Sequence, residues 1–80
     1  MNKNKLYEKI CDFYNCSFAY NDDGTVEDSS NDIDWTLKYQ SIDEALKGWL
    51  YTMEESNKDS QEQADVNTWS NEEIDFIKSL

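Results

Sequence analysis

The sequence predicts a small α+β domain with elements in the order α–β–β–β–α–α, a twisted three-stranded antiparallel sheet packed against helices. Three observations predict it. Apolar residues recur at helical spacing in two separate stretches and alternate at strand spacing between them. An Asp-Gly pair, Asp23-Gly24, lies between aromatic and apolar runs, which is a hairpin signal. Two Ser-x-x-Glu patterns, Ser41 to Glu44 and Ser70 to Glu73, mark helix starts. A length of 80 residues suits one domain, which would bury roughly 60–65% of its unfolded surface.

The first helix is expected over residues 3–14, capped by Asn2 or Asn4, with Leu6, Ile10 and Phe13 on its apolar face and Tyr7 and Tyr14 flanking it. Ser17-Phe18-Ala19-Tyr20 is the first strand, followed by the turn Asn21-Asp22-Asp23-Gly24. Glu27 to Asp32 reads as a polar loop or a weak edge strand. Residues 33–39 alternate cleanly, Ile33, Trp35, Leu37 and Tyr39 on one face against Asp34, Thr36 and Lys38 on the other. After Ser41, the residues Ile42, Ala45, Leu46, Trp49, Leu50 and Met53 form a nearly ideal buried stripe, predicting a helix to about Glu55. Ser56 to Thr68 lacks a period and reads as a mobile loop. A last short helix, about 71–79, follows Ser70, with Trp69 and Ile74 placed as a hydrophobic staple. Trp35, Trp49 and Trp69 come from three elements and are the expected core anchors.

Charge is the dominant compositional feature. Eighteen acids face seven lysines, for a net charge of −11, and there is no arginine, histidine or proline. Solubility at this size needs a magnitude of only about 2–8, and the excess self-repulsion opposes compaction. With 14% aromatic residues the chain still has the means to fold. Lys3, Lys5 and Lys9 cluster in the first helix, so from residue 11 onward seventeen acids face four lysines.

Catalytic signatures are missing. Without histidine there is no Ser-His or Cys-His pair and no side chain that ordinarily titrates near neutrality. Cys11 and Cys16 are too few for a disulfide framework or a four-ligand zinc site, and read as reduced thiols of a cytosolic protein. The two glycines, Gly24 and Gly48, build no phosphate-binding loop. Taking Gly24 as the sixth residue of an EF-hand loop places Ala19 first and Ser30 last, both wrong for that loop. That leaves a weak calcium site of another kind at residues 21–34 as the alternative to an acidic turn in water. An enzyme, a cofactor, a membrane span and direct nucleic-acid binding are therefore not expected.

What remains is the carboxylates. Asp22, Asp23, Glu27, Asp28, Asp32 and Asp34 crowd residues 21–34, which hold no lysine. Glu44, Gly48, Tyr51 and Glu55 form the stripe of the second helix opposite its apolar face, with Glu54 beside them. Helical neighbours at this spacing stand roughly 5–6 Å apart, near the phosphate spacing along a nucleic-acid strand. Rigid carboxylates so placed can occupy the lysine and arginine contacts of a nucleic-acid-binding protein. In size, charge and missing catalytic groups the chain resembles the small acidic proteins by which phages and mobile elements block restriction enzymes or CRISPR nucleases, a likeness that covers no motif. The expected partner is thus a basic protein surface. The alternative is an adaptor, immunity-type protein or assembly subunit docking through Phe76 and Leu80 of the last helix, a seam that would equally make a homodimer.

Overall fold

The element order of the computed structural model is α1 (Lys3–Phe13), β1 (Cys16–Tyr20), β2 (Val26–Ser30), β3 (Thr36–Tyr39), α2 (Ile42–Ala64) and α3 (Asn71–Lys78), an α+β fold of three helices and an open antiparallel sheet in the order β1-β2-β3. The residues described are 1–32, 34–64 and 68–80. The chain divides into two compact units, Met1–Ala45 and Leu46–Leu80.

In the first unit α1 packs on β1. Asn2 caps the helix, its side-chain oxygen accepting from Lys5 N at 3.1 Å. The buried stripe is Leu6, Tyr7, Ile10 and Cys11, while Phe13 is 56% exposed. The expected face at Leu6, Ile10 and Phe13 is thus rotated by about one residue, toward Tyr7. The cause is long-range: the Tyr7 hydroxyl donates to Asp28 at 2.7 Å, and its ring meets Phe18 edge-on at 5.3 Å. Asn15, at φ 55°, then turns the chain out of the helix in the left-handed conformation that Asn tolerates.

The β1–β2 hairpin pairs Cys16 with Ser30 through Tyr20 with Val26. Its turn is tighter in logic than Asp-Gly alone suggests. Gly24 N donates to Asn21 O at 3.1 Å and Asn21 N to Thr25 O at 2.9 Å, closing a three-residue loop in which only Gly24 has positive φ, 88°. β2 is neither a loop nor an edge strand. It is the central strand, pairing also with β3 from Val26–Tyr39 to Ser29–Thr36. Its polar residues misled because Val26 and Asp28 are the buried pair, alternating with Glu27 and Ser29. The third strand is shorter than expected, and its predicted apolar face is only partly covered: Leu37 is 50% exposed, Trp35 and Tyr39 are half-buried, and Ile33 lies outside the described residues. Such a short strand at a sheet edge has a neighbour on one side only.

In the second unit Met53, Trp69, Ile74 and Ile77 are buried, and Leu46 with them. Trp69 is the tryptophan that acts as a full anchor, since Trp35 and Trp49 are half-buried. α2 does not stop near Glu55. It runs to Ala64, so residues 56–64 are helical and not a loop; residues 65–67 lie outside the described residues. Nothing in that polar stretch breaks a helix, and Asn57 gives it a tertiary contact, pairing with Trp69 through both backbone groups at 2.7 and 2.9 Å. α3 starts as expected: Ser70 and Glu73 form a complete capping box. No described helix is long and apolar enough to cross a membrane.

Candidate functional site

The register of the first unit decides where its acids lie. β2 has the hairpin tip at its start and the link to β3 at its end. Asp22 and Asp23 therefore occupy one end of the sheet, Asp32 and Asp34 the other. All four are exposed. At about 3.3 Å per residue, β2 alone holds the two ends roughly 13 Å apart. That exceeds the Debye length of about 8 Å at physiological salt, so the ends act as two negative patches and not as one.

Each patch contains a carboxylate held in place. Thr25 donates to Asp23 Oδ1 twice, from its backbone N at 3.0 Å and from its hydroxyl at 2.6 Å. These bonds, with help from the Lys38 charge, hold Asp23 below the usual carboxylate range. At the other end Asn15 Nδ2 donates to Asp32 Oδ2 at 2.9 Å, and Asp32 N donates to Ser30 Oγ at 3.1 Å. Asn31 N donates to Asn15 O at 3.1 Å, so the α1–β1 and β2–β3 links brace each other.

Asp28 is a correction. Expected in the partner-binding set, it is 1% exposed, on the inner face of the central strand beneath Tyr7. It cannot touch a partner without unfolding. Its charge instead sets the surroundings. Burial first, then Asp28, pushes the Cys11 thiol up to about 12 and the Tyr39 hydroxyl up to about 12, and raises Tyr7 strongly. Cys16 moves the same way, and both thiols are free and buried. They are poor nucleophiles in this state.

Glu27 is half-buried on the outer face of β2, opposite Ala19 and Lys38. Glu44 is exposed but occupied locally: its carboxylate accepts from Gln40 N at 2.7 Å while Ser41 Oγ accepts from Glu44 N at 3.3 Å. In the second unit Tyr51 is 74% exposed, Glu54 and Glu55 are half-buried, and Glu55 pairs with Lys58 at 3.5 Å. A groove of about 280 Å³ there has mixed charge, with Glu54, Lys58, Asp75 and Lys78 along it. Phe76 and Leu80, the apolar residues of the alternative docking face, are half-buried, and the buried ones in α3 are Ile74 and Ile77.

The residue the sequence reading missed is Ser17, whose row on the outer sheet face includes Ser29 and Thr36. Only strand register brings these three hydroxyls together. Among the described residues no three of His, Cys, Asp and Glu converge on a metal position. No protein-family model matches the chain, and no curated protein or solved structure gives a significant match.

Proposed function

We propose that this protein is a non-catalytic acidic inhibitor that binds a basic, nucleic-acid-binding surface of a partner protein, such as a nuclease in the cytosol, by presenting carboxylates where the partner holds phosphates. One observation carries the reading: Asp23 and Asp32 are exposed yet pinned by hydrogen bonds at opposite ends of a sheet. Fixed charges cost less to order on binding than flexible ones, and these two are already fixed by their turns. Asp22 and Asp34 extend the two patches, while Tyr51, Glu54 and Glu55 are a candidate surface of the second unit by itself. The adaptor reading draws less support, because Phe76 and Leu80 are half-buried.

The test is competition. Binding to a DNA-binding nuclease should be displaced by DNA and weaken steeply with salt. Replacing Asp22, Asp23, Asp32 and Asp34 together by Asn should abolish it, with the fold checked by circular dichroism. Binding that persists in this variant, or that ignores salt, sinks the reading.

A further inference from the structure

We propose that the outer face of the sheet holds a seat for one arginine side chain of the partner, with Glu27 as its counter-ion; this rests on the inhibitor reading above. A depression of about 260 Å³ lies there, lined by Ser17, Ala19, Glu27, Ser29 and Thr36. Its shape follows from the register. Ser17, Ser29 and Thr36 form one row across the three strands, and Ala19, Glu27 and Lys38 form the next row on the same face. Phe18 and Asp28, between the rows, turn their side chains to the other face, so the floor is bare backbone. Four short side chains beside one long carboxylate leave a shallow trough.

The chemistry of the trough selects its occupant. Glu27 is a carboxylate, an acceptor when ionised. The Ser17 proton is committed to Asn31 Oδ1 at 2.7 Å, so its oxygen lone pairs are what it offers to a ligand. The Ser29 and Thr36 hydroxyls can accept as well as donate, so the one charged side chain that lines the trough, Glu27, decides. It calls for a group rich in donors and lacking acceptors of its own. A guanidinium supplies five N–H donors in a plane, matches a carboxylate fork, and lies flat on a shallow floor; an ammonium is a compact, strongly hydrated point charge. The net charge of −11 draws such a partner in. Lys38 shares the row with Glu27 on the β3 side, whereas Ala19 leaves the β1 side open. The guanidinium therefore enters over β1, against a residual repulsion from Lys38.

The experiment is an amide NMR titration of the full chain with N-acetyl-arginine methylamide, and with the lysine analogue at matched ionic strength. Saturable shifts at Ser17, Ala19, Glu27, Ser29 and Thr36, larger for arginine than for lysine, are expected. Glu27→Gln should weaken binding about tenfold or more, the scale of one lost charge-assisted hydrogen bond. Lys38→Gln should tighten it. The Asn quadruple variant of Asp22, Asp23, Asp32 and Asp34 should retain the local shifts while losing the nuclease, which separates the two proposals. Equal shifts at every exposed acid, no preference for arginine, or a Glu27→Gln variant that titrates like the parent would overturn the seat and leave the inhibitor reading standing.

Discussion

The Tyr7 hydroxyl lies 2.7 Å from Asp28 Oδ2, joining α1 to the central strand through two residues that are 0% and 1% exposed. A carboxylate buried this deeply is costly unless it is hydrogen-bonded, and the phenol offsets part of that cost. Tyr7→Phe keeps the ring and its edge-on contact with Phe18 while deleting the donor. It should cost about 1.5–3 kcal/mol, the range for a hydrogen bond to a charged group. Urea unfolding measures this, and a loss under about 0.5 kcal/mol would mean the bond does not matter.

The same core makes the fold sensitive to alkali. Cys11 rises from 9.0 to about 12 and Tyr39 from 10.0 to about 12, both chiefly through burial and then the Asp28 charge. Tyr7 is raised as well. A raised folded-state value means the unfolded chain releases these protons first. The stability they contribute is complete below about pH 9 and drains away as pH climbs toward 12. Urea midpoints across that window should therefore fall with pH, and Tyr39→Phe should flatten the slope. Midpoints that hold steady up to pH 12 would contradict the burial of these groups.

At the hairpin tip the sign is opposite. Thr25 hydrogen bonds hold Asp23 below its ordinary value of 3.8, so what they contribute is present above about pH 4 and lost as the carboxylate protonates in stronger acid. Carboxyl NMR titration should find Asp23 titrating below the ordinary aspartate range. Thr25→Val removes the 2.6 Å hydroxyl donor and should bring Asp23 back toward the ordinary range. An unmoved titration would mean that the backbone N–H of residue 25 or the Lys38 charge, and not the Thr25 hydroxyl, sets the shift.

Local chemistry was readable in this chain, and long-range pairing was not. The Ser70–Glu73 box, the Asn2 cap and the Gly24 turn lie within a few residues of the groups they satisfy, and each formed where the pattern put it. Asp28 reads as surface because four of the five residues Val26–Ser30 are polar, and its partner Tyr7 is 21 residues away. The same missing contact explains why Phe13 was expected inside. For the candidate site, the acids were plain in the sequence, but β2 had to become the central strand before they separated into two ends. The hydroxyl row of Ser17, Ser29 and Thr36 comes from three strands and leaves no signal along the chain.

Asn57 offers the sharpest test of the second unit. Its amide nitrogen donates to Trp69 O at 2.9 Å, and its amide oxygen accepts from Trp69 N at 2.7 Å, so one side chain satisfies both backbone groups of a fully buried tryptophan. That geometry copies a strand pair, and it anchors the residue that precedes the Ser70 cap. Asn57→Ala removes both bonds and should cost about 1–3 kcal/mol, two bonds at about 0.5–1.5 kcal/mol each. Asn57→Asp keeps the acceptor, loses the donor to Trp69 O, and sets a carboxylate against that carbonyl. It should be destabilising as well, and Asn57→Ser, too short to reach both groups, should resemble alanine. Tryptophan fluorescence, which sums Trp35, Trp49 and Trp69, follows the change: its red shift should come at lower urea than in the parent. Were Asn57→Ala to unfold at the parent midpoint, the pairing would be incidental to the helix that carries it, and α2 would need another reason to extend past Glu55.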